Sequence, residues 1–245
     1  MRKAILPLII LLAGCTGADS PPPESGPAPD KQQQTETENS NKKNNSEQDS
    51  ETKVELDAPH ISQLPELERG CEVTTLAMIL QHAGKDVGKM ELSKEIARVP
   101  FEKGGMRGHP GEGFVGNMKT LDKPGLGVYH GPVAELGEAY LPGKILDLTG
   151  EGFNEVEKHV KDGRPVWVLV PSTFAVVPDK HWETWNTKKG KEKITYKWHS
   201  VLVTGFDDKN VYVNDPLGGK NDKLSKEEFV AGWEQFGKQA ITYKP

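Results

Sequence analysis

The chain has 245 residues, a formal net charge of −5 and 27% charged residues. No lysine- or arginine-rich face is evident, which argues against nucleic acid as a partner. There are only two cysteines, Cys15 and Cys71, so no disulfide framework is implied. The first fifth does not read as globular. What remains, about 190 residues, is long enough to bury a single core without cross-links.

Met1 to Gly14 reads as an export signal: Arg2 and Lys3 form a basic start, and Ala4 to Leu12 is an apolar run too short to span a bilayer. It ends in Leu12-Ala13-Gly14-Cys15, which resembles the lipobox of bacterial lipoproteins. That resemblance implies cleavage before Cys15 and lipidation of its sulfur, with a second acylation making the anchor stable. The expected location is therefore extracytoplasmic, on the bacterial membrane. Residues 15–53 are rich in Ser, Pro, Gln, Asn, Glu, Asp and Lys and almost lack large apolar side chains. Such a segment cannot offset its ordering entropy, so it is expected to be a disordered tether with a reach of roughly 30–40 Å.

The folded domain is expected over 54–245. In the stretch Ser62 to Gly84, Val73, Leu76, Ala77, Leu80 and Ala83 recur at helical spacing, and Gly84 sits where a C-terminal cap belongs. Cys71 starts this helix. A thiol there faces unpaired N–H groups and the positive end of the helix dipole, both of which favour the thiolate. Gln63, eight positions upstream, can bring side-chain N–H donors to the same point. A lone cysteine on an amphipathic helix is more often a small core residue, so the catalytic reading depends on partners elsewhere in the chain.

A second helix is expected around Met90 to Ala97, stopped by Pro100. Gly104 to Gly116 reads as a glycine-rich loop in a cleft wall; it lacks the strand-then-helix context of a phosphate loop. Further helices are expected at Pro132 to Leu141 and Phe153 to Lys161, and a short strand at Lys144 to Leu148. Pro165 to Val170 is a continuous apolar run, the mark of a central strand. Lys188 to Lys193 reads as a solvated loop. Tyr196 to Phe206 and Asn210 to Asn214 form a hairpin around Asp207-Asp208-Lys209. Ser225 opens a last helix, with Glu228 completing a capping box, and Gln239 to Tyr243 is a terminal strand. Helices first and a mainly antiparallel sheet after them indicate an α+β fold.

His199 enters the first hairpin strand; Asn214 and Asp215 close the second. A general-base histidine needs a partner at its other ring nitrogen. A three-residue turn puts Asp215 on the face of His199, and a two-residue turn puts Asn214 there. Both remain candidates on spacing alone. His60, His82, His109, His130, His159 and His181 show no metal-ligand spacing, so no metal or other cofactor is expected. Trp182, Trp185 and Trp198 either line a peptide cleft or pack in the core.

Four segments carry a family resemblance: Cys71 in QLPELERGCEVTTLAMIL, Gly113-Phe114-Val115-Gly116, His199 in WHSVLVTGFD and Asp215 in VYVNDP. Together they resemble the C39-like family of papain-fold cysteine peptidases over most of 54–245. The resemblance implies a Cys-bearing helix packed on a sheet that carries His and Asp. Cys71 would be the nucleophile, His199 the general base, Asp215 its orienting partner and Gln63 an oxyanion donor. It favours Asp215 over Asn214. The expected activity is hydrolysis of peptide or related amide bonds by a monomer, acting on a peptide or protein substrate. The rival readings are an inactive surface-binding module on the same scaffold, and an amide-bond enzyme of similar geometry, such as a transglutaminase-like or wall-peptide hydrolase.

Overall fold

A computed structural model describes residues 53–245. The export signal, the lipobox with Cys15 and nearly all of the tether lie outside the described residues. In chain order the domain comprises β1 (Val54–Glu55), α1 (Cys71–His82), α2 (Lys89–Glu95), β2 (Arg98–Val99), β3 (Glu102–Lys103), β4 (Met106–Arg107), β5 (Phe114–Val115), α3 (His130–Tyr140) and β6 (Ile145–Asp147). Then follow α4 (Phe153–Lys161), β7 (Val166–Pro171), β8 (Glu183–Thr187), β9 (Gly190–Ile194), β10 (Trp198–Phe206), β11 (Asn210–Asn214), β12 (Asp222–Ser225), α5 (Lys226–Gln235) and β13 (Ala240–Tyr243). Among the described residues no helix is long and apolar enough to cross a membrane.

The main sheet is antiparallel, in the order β12-β11-β10-β7-β13-β6, with β1 added to β10. Its central strand β7 is buried along its whole length because both faces are covered. Trp167 and Leu169 enter one core with α1 and its neighbours, including Val73, Leu76, Leu80 and Leu136. The alternate residues Val166, Val168 and Val170 enter a second core with α4 and α5, built around Phe153, Val156, Phe229 and Trp233. This two-sided burial is why the strand reads as an unbroken apolar run rather than an alternating one. Trp167 is fully buried and its indole N–H reaches the Glu72 carbonyl at 3.1 Å, so truncating it to Ala would cost about 3–5 kcal/mol.

Helix α1 has no side-chain N-cap: Gly70 occupies that position, where a Cβ would lie 2.5 Å from the Leu67 Cβ. Close packing thus excludes the usual Ser, Thr or Asp, and no cap side chain covers the N–H groups of the first turn. At the other end Gly84 takes φ +81°, a turn conformation that suits glycine. Helix α5 starts as expected, with Ser225 Oγ accepting from the Glu228 N–H.

Two segments differ from the sequence expectation. Gly104 to Gly116 is not an open loop in the cleft wall: it contains β4 and β5, with β4 joining β3 and β8 in a second sheet and β5 pairing with β2. Lys188 to Lys193 is likewise not a plain loop, because β8 and β9 form a hairpin across it. Its lysine-rich strand buries only its Ile194 end, so the apolar alternation that marks a strand is nearly absent.

Candidate active site

The start of α1 and the start of β10 meet at a cleft of about 350 Å³ whose lining includes Gln63, Cys71, Trp198 and His199. Cys71 is 5% exposed and is the free cysteine among the described residues. The Thr75 hydroxyl donates to the Ser200 carbonyl at 3.2 Å, fixing the N-terminal half of α1 against β10.

His199 and Asp215 are both buried, and Nε2 of the histidine lies 2.7 Å from Oδ1 of the aspartate. With Nε2 committed, Nδ1 is the ring nitrogen left for another partner. Asp215 Oδ1 also accepts from the Leu217 N–H at 2.8 Å. Burial pushes the Asp215 carboxyl up, but the His199 bond and charge, with the Leu217 and Gly218 N–H groups, outweigh it and hold the carboxyl below its ordinary value.

The pairing of His199 with Asp215 rather than Asn214 comes from a β-bulge. At the hairpin turn the Asp207 N–H donates to the Asn210 carbonyl, which leaves a two-residue turn. That register, still present at Phe206↔Val211 and Gly205↔Tyr212, would put Asn214 on the His199 face. Between Val203 and Gly205 the ladder slips by one residue, to Val203↔Val213 and Leu202↔Asn214. The extra residue is Thr204, whose hydroxyl donates to the Asn221 side chain at 2.7 Å and whose carbonyl accepts from the Leu56 N–H. One inserted residue exchanges the two faces of the strand. Asn214 instead pins a loop: its amide donates to the Ala58 and Pro59 carbonyls at 3.1 and 2.9 Å, and its oxygen accepts from the Asn221 N–H.

Gln63 is 1% exposed. Its backbone N–H bonds the Pro216 carbonyl at 2.9 Å, which ties it to the segment leaving β11. Its amide nitrogen donates to the Leu67 carbonyl at 2.9 Å. A carbonyl acceptor fixes which amide atom is nitrogen and leaves the second N–H available. The amide oxygen has no partner among the described residues.

The 117–124 segment contributes Leu121 to the cleft wall and is tied to the residues before α1. Arg69 donates to the carbonyls of Thr120, Lys123 and Leu121, and the Glu68 carboxylate accepts from the Leu121 N–H. Leu121, Tyr196 and Leu217 line the cleft and are 61%, 56% and 54% exposed, so large apolar side chains share its rim with the charged Glu68 and Arg69. A larger cavity of about 470 Å³ lies on the other side of Trp198, with Tyr129, Trp182 and Phe236 in its lining; it contains none of Cys71, His199, Asp215 or Gln63. Trp198 lines both spaces, whereas Trp185 is core. Among the described residues no group of three or more His, Cys, Asp or Glu side chains is placed to hold a metal ion.

A model described as the Peptidase_C39 like family matches residues 55–241. The chain belongs to this family. Over 178 residues it is 46% identical to the uncharacterized protein YvpB of Bacillus subtilis (strain 168), covering 72% of this chain and 70% of YvpB. It also matches the crystal structure of a candidate C39-like peptidase from Bacillus anthracis, with a TM-score of 0.78 and 48% identity, over 79% of this chain and 98% of that one. The α+β fold described above is thus a C39-like peptidase fold.

Within this C39-like domain three residues near the cleft escape sequence reasoning. His60 donates from Nε2 to the Asp215 carbonyl at 2.8 Å, so it supports the aspartate rather than sitting free in a loop. The Phe174 ring lies 5.9 Å from the His199 ring, on a backbone of φ +52° that a non-glycine residue adopts only under tertiary constraint. Glu72 follows Cys71 and is 0% exposed; its Oε2 accepts from Cys71 Sγ at 3.4 Å. An acid in the first turn of a helix normally reads as a solvated dipole partner, and nothing in the sequence distinguishes this one. It also reverses the thiolate expectation. Burial, then the Glu72 charge and hydrogen bond, push the Cys71 thiol well above its ordinary value, against the opposing pull of the Ser200 and Glu72 backbone. The helix dipole alone does not prevail against full burial and an adjacent carboxylate.

Proposed function

We propose that the domain is a cysteine peptidase that hydrolyses peptide bonds by acyl transfer at Cys71. One observation carries this: Cys71, His199 and Gln63 converge on a single cleft, with Asp215 bonded behind His199. In the proposed reaction, Nδ1 of His199 takes the thiol proton and Asp215 stabilises the imidazolium through Nε2. The thiolate adds to the carbonyl carbon, and the oxyanion is held by the free Gln63 N–H and the Cys71 backbone N–H, which is open at the uncapped helix start. The imidazolium then protonates the leaving amine, and water, deprotonated by His199, releases the acyl group and restores the thiol.

The exposed Leu121, Tyr196 and Leu217 side chains on the rim favour an extended peptide with bulky apolar side chains beside the scissile bond. Cys15 would carry the lipid that holds the monomeric domain on the outer side of the bacterial membrane, with residues 15–53 as spacer. The test is turnover of a mixed peptide pool by the full chain. Cys71→Ala and His199→Ala should each abolish cleavage, and the double variant should be hardly worse than either single, because the two side chains act as a unit. Cleavage that survives Cys71→Ala would leave the domain as a binding module on a peptidase scaffold.

A further inference from the structure

The carboxylate of Glu72 is enclosed by atoms that dictate how it bonds. Oε1 accepts from the Val128 backbone N–H at 3.0 Å and from the Trp198 indole N–H at 2.7 Å. Both partners can only donate, so Oε1 carries no proton. Oε2 faces Cys71 Sγ at 3.4 Å. The surrounding backbone is shaped to this carboxylate: a Cβ at Gly127 would stand 2.3 Å from both Glu72 Oε1 and Trp198 Nε1. The segment 126–128 is held in turn by β5, through the Val115 N–H to the Gly127 carbonyl and the Leu126 N–H to the Val115 carbonyl. The Gly113-Phe114-Val115-Gly116 stretch therefore braces the carboxylate pocket.

We propose that Glu72 is the resting proton partner of Cys71: a single proton lies between Sγ and Oε2, and it must pass to His199 before the thiolate can attack. With one proton shared, two arrangements are open, the thiol with the carboxylate or the thiolate with the carboxylic acid; burial pushes the Glu72 carboxyl up, against the bonds from the Glu72 and Val128 N–H groups, the Trp198 indole and Cys71. The 3.4 Å contact between Sγ and Oε2 fits the first, with Sγ as donor. The thiol is thereby held away from the imidazole until a substrate carbonyl arrives and Sγ turns to Nδ1. The proton balance is unchanged by this step: Sγ loses the proton, Nδ1 gains it, and Glu72 stays ionised with its Oε1 bonds intact. The titratable and charged groups around the pair are Glu68, Arg69, Tyr196 and His199, which line the cleft with Cys71, Asp215, bonded to His199, and Tyr129, stacked on Trp198 at 5.2 Å and bonded to Glu192.

The proposal rests on Cys71 as the reacting group only in its last step, so the test reads the thiol and not turnover. Iodoacetamide alkylation of the full chain is followed against pH, with the adduct quantified on the Cys71 peptide by mass spectrometry. The wild-type profile should rise only above the pKa of an ordinary thiol, about 8.5. Glu72→Gln keeps an Oε1 acceptor for Val128 and Trp198 but turns an N–H toward Sγ and removes the charge. It should shift the profile down by one pH unit or more, roughly a tenfold gain in thiolate at neutral pH. An unchanged profile, or one moved to higher pH, overturns the proposal. A second measurement covers the case in which Glu72→Gln does not fold. The infrared difference between wild type and Cys71→Ala at neutral pH should contain an S–H stretch displaced by a bond to a carboxylate. If that band is missing, or lies where an unbonded thiol absorbs, the proposal fails.

Discussion

Asp215 and Asn214 are adjacent, both buried and both once candidates to orient His199, yet they should fail in different assays. Asp215→Ala removes a charge-assisted bond of 2.7 Å between groups whose side chains are 11% and 3% exposed. A hydrogen bond to a charged group contributes about 1.5–3 kcal/mol. The Coulomb attraction between the carboxylate and a nascent imidazolium, at an effective dielectric of about 20, sets an upper figure near 4 kcal/mol. Together they predict a fall in kcat/KM between roughly tenfold and a thousandfold, centred near a hundredfold, less than the loss on removing Cys71 or His199. Asn214→Ala instead strips partners from the Ala58 and Pro59 carbonyls and the Asn221 N–H. At about 1 kcal/mol for each bond it should cost about 3 kcal/mol of stability. Its kcat/KM per folded molecule should change less than threefold, an order-of-magnitude expectation for a residue outside the transition state. Urea unfolding and peptidase kinetics on the same preparations separate the two effects. The register argument is refuted if Asn214→Ala loses turnover on the scale expected of Asp215→Ala while its unfolding midpoint stays at the wild-type value.

Three further outcomes are expected, two from the structure and one from the lipobox sequence. Gln63→Ala should lower kcat by about a hundred- to a thousandfold, the usual loss for one oxyanion donor, with KM nearly unchanged. Asp207 accepts from the Lys209 and Asn210 N–H groups, the Asn210 amide and the Tyr212 hydroxyl, and these bonds outweigh burial and hold its carboxyl well below the ordinary 3.8. A depressed carboxyl stabilises the fold fully above its unfolded pKa and stops doing so as pH falls through the folded one. Acid titration followed by circular dichroism should therefore show stability falling below about pH 4, less steeply in Asp207→Asn. Finally, Cys15→Ser should release the protein from the membrane fraction; retention of that variant after a high-salt wash would contradict the lipobox.

Much of the fold is legible because its elements announce themselves locally. Helix α4 spans Phe153–Lys161 as its apolar spacing dictates, and β7 is apolar on both faces because both are buried. What escapes are features set by contacts distant in sequence. Spacing leaves both Asn214 and Asp215 open, with only the family resemblance favouring Asp215, because the register is set by a bulge at Thr204. Glu72 looks like any acid at a helix start, and its burial depends on Gly127, Val128 and Trp198, which approach from far along the chain. The β8–β9 hairpin lacks apolar alternation because most of β9 faces solvent.

Covalent capture tests peptidase chemistry at Cys71 most directly. The full chain is exposed at neutral pH to a library of peptides ending in an electrophilic carbonyl, and adducts are located by mass spectrometry. The predicted result is a thioester or thiohemiacetal adduct on Cys71, favouring peptides with bulky apolar side chains, forming far faster than alkylation by iodoacetamide and falling sharply in His199→Ala. Adducts placed elsewhere, or labelling of Cys71 that is as fast in His199→Ala as in the wild type, would contradict it.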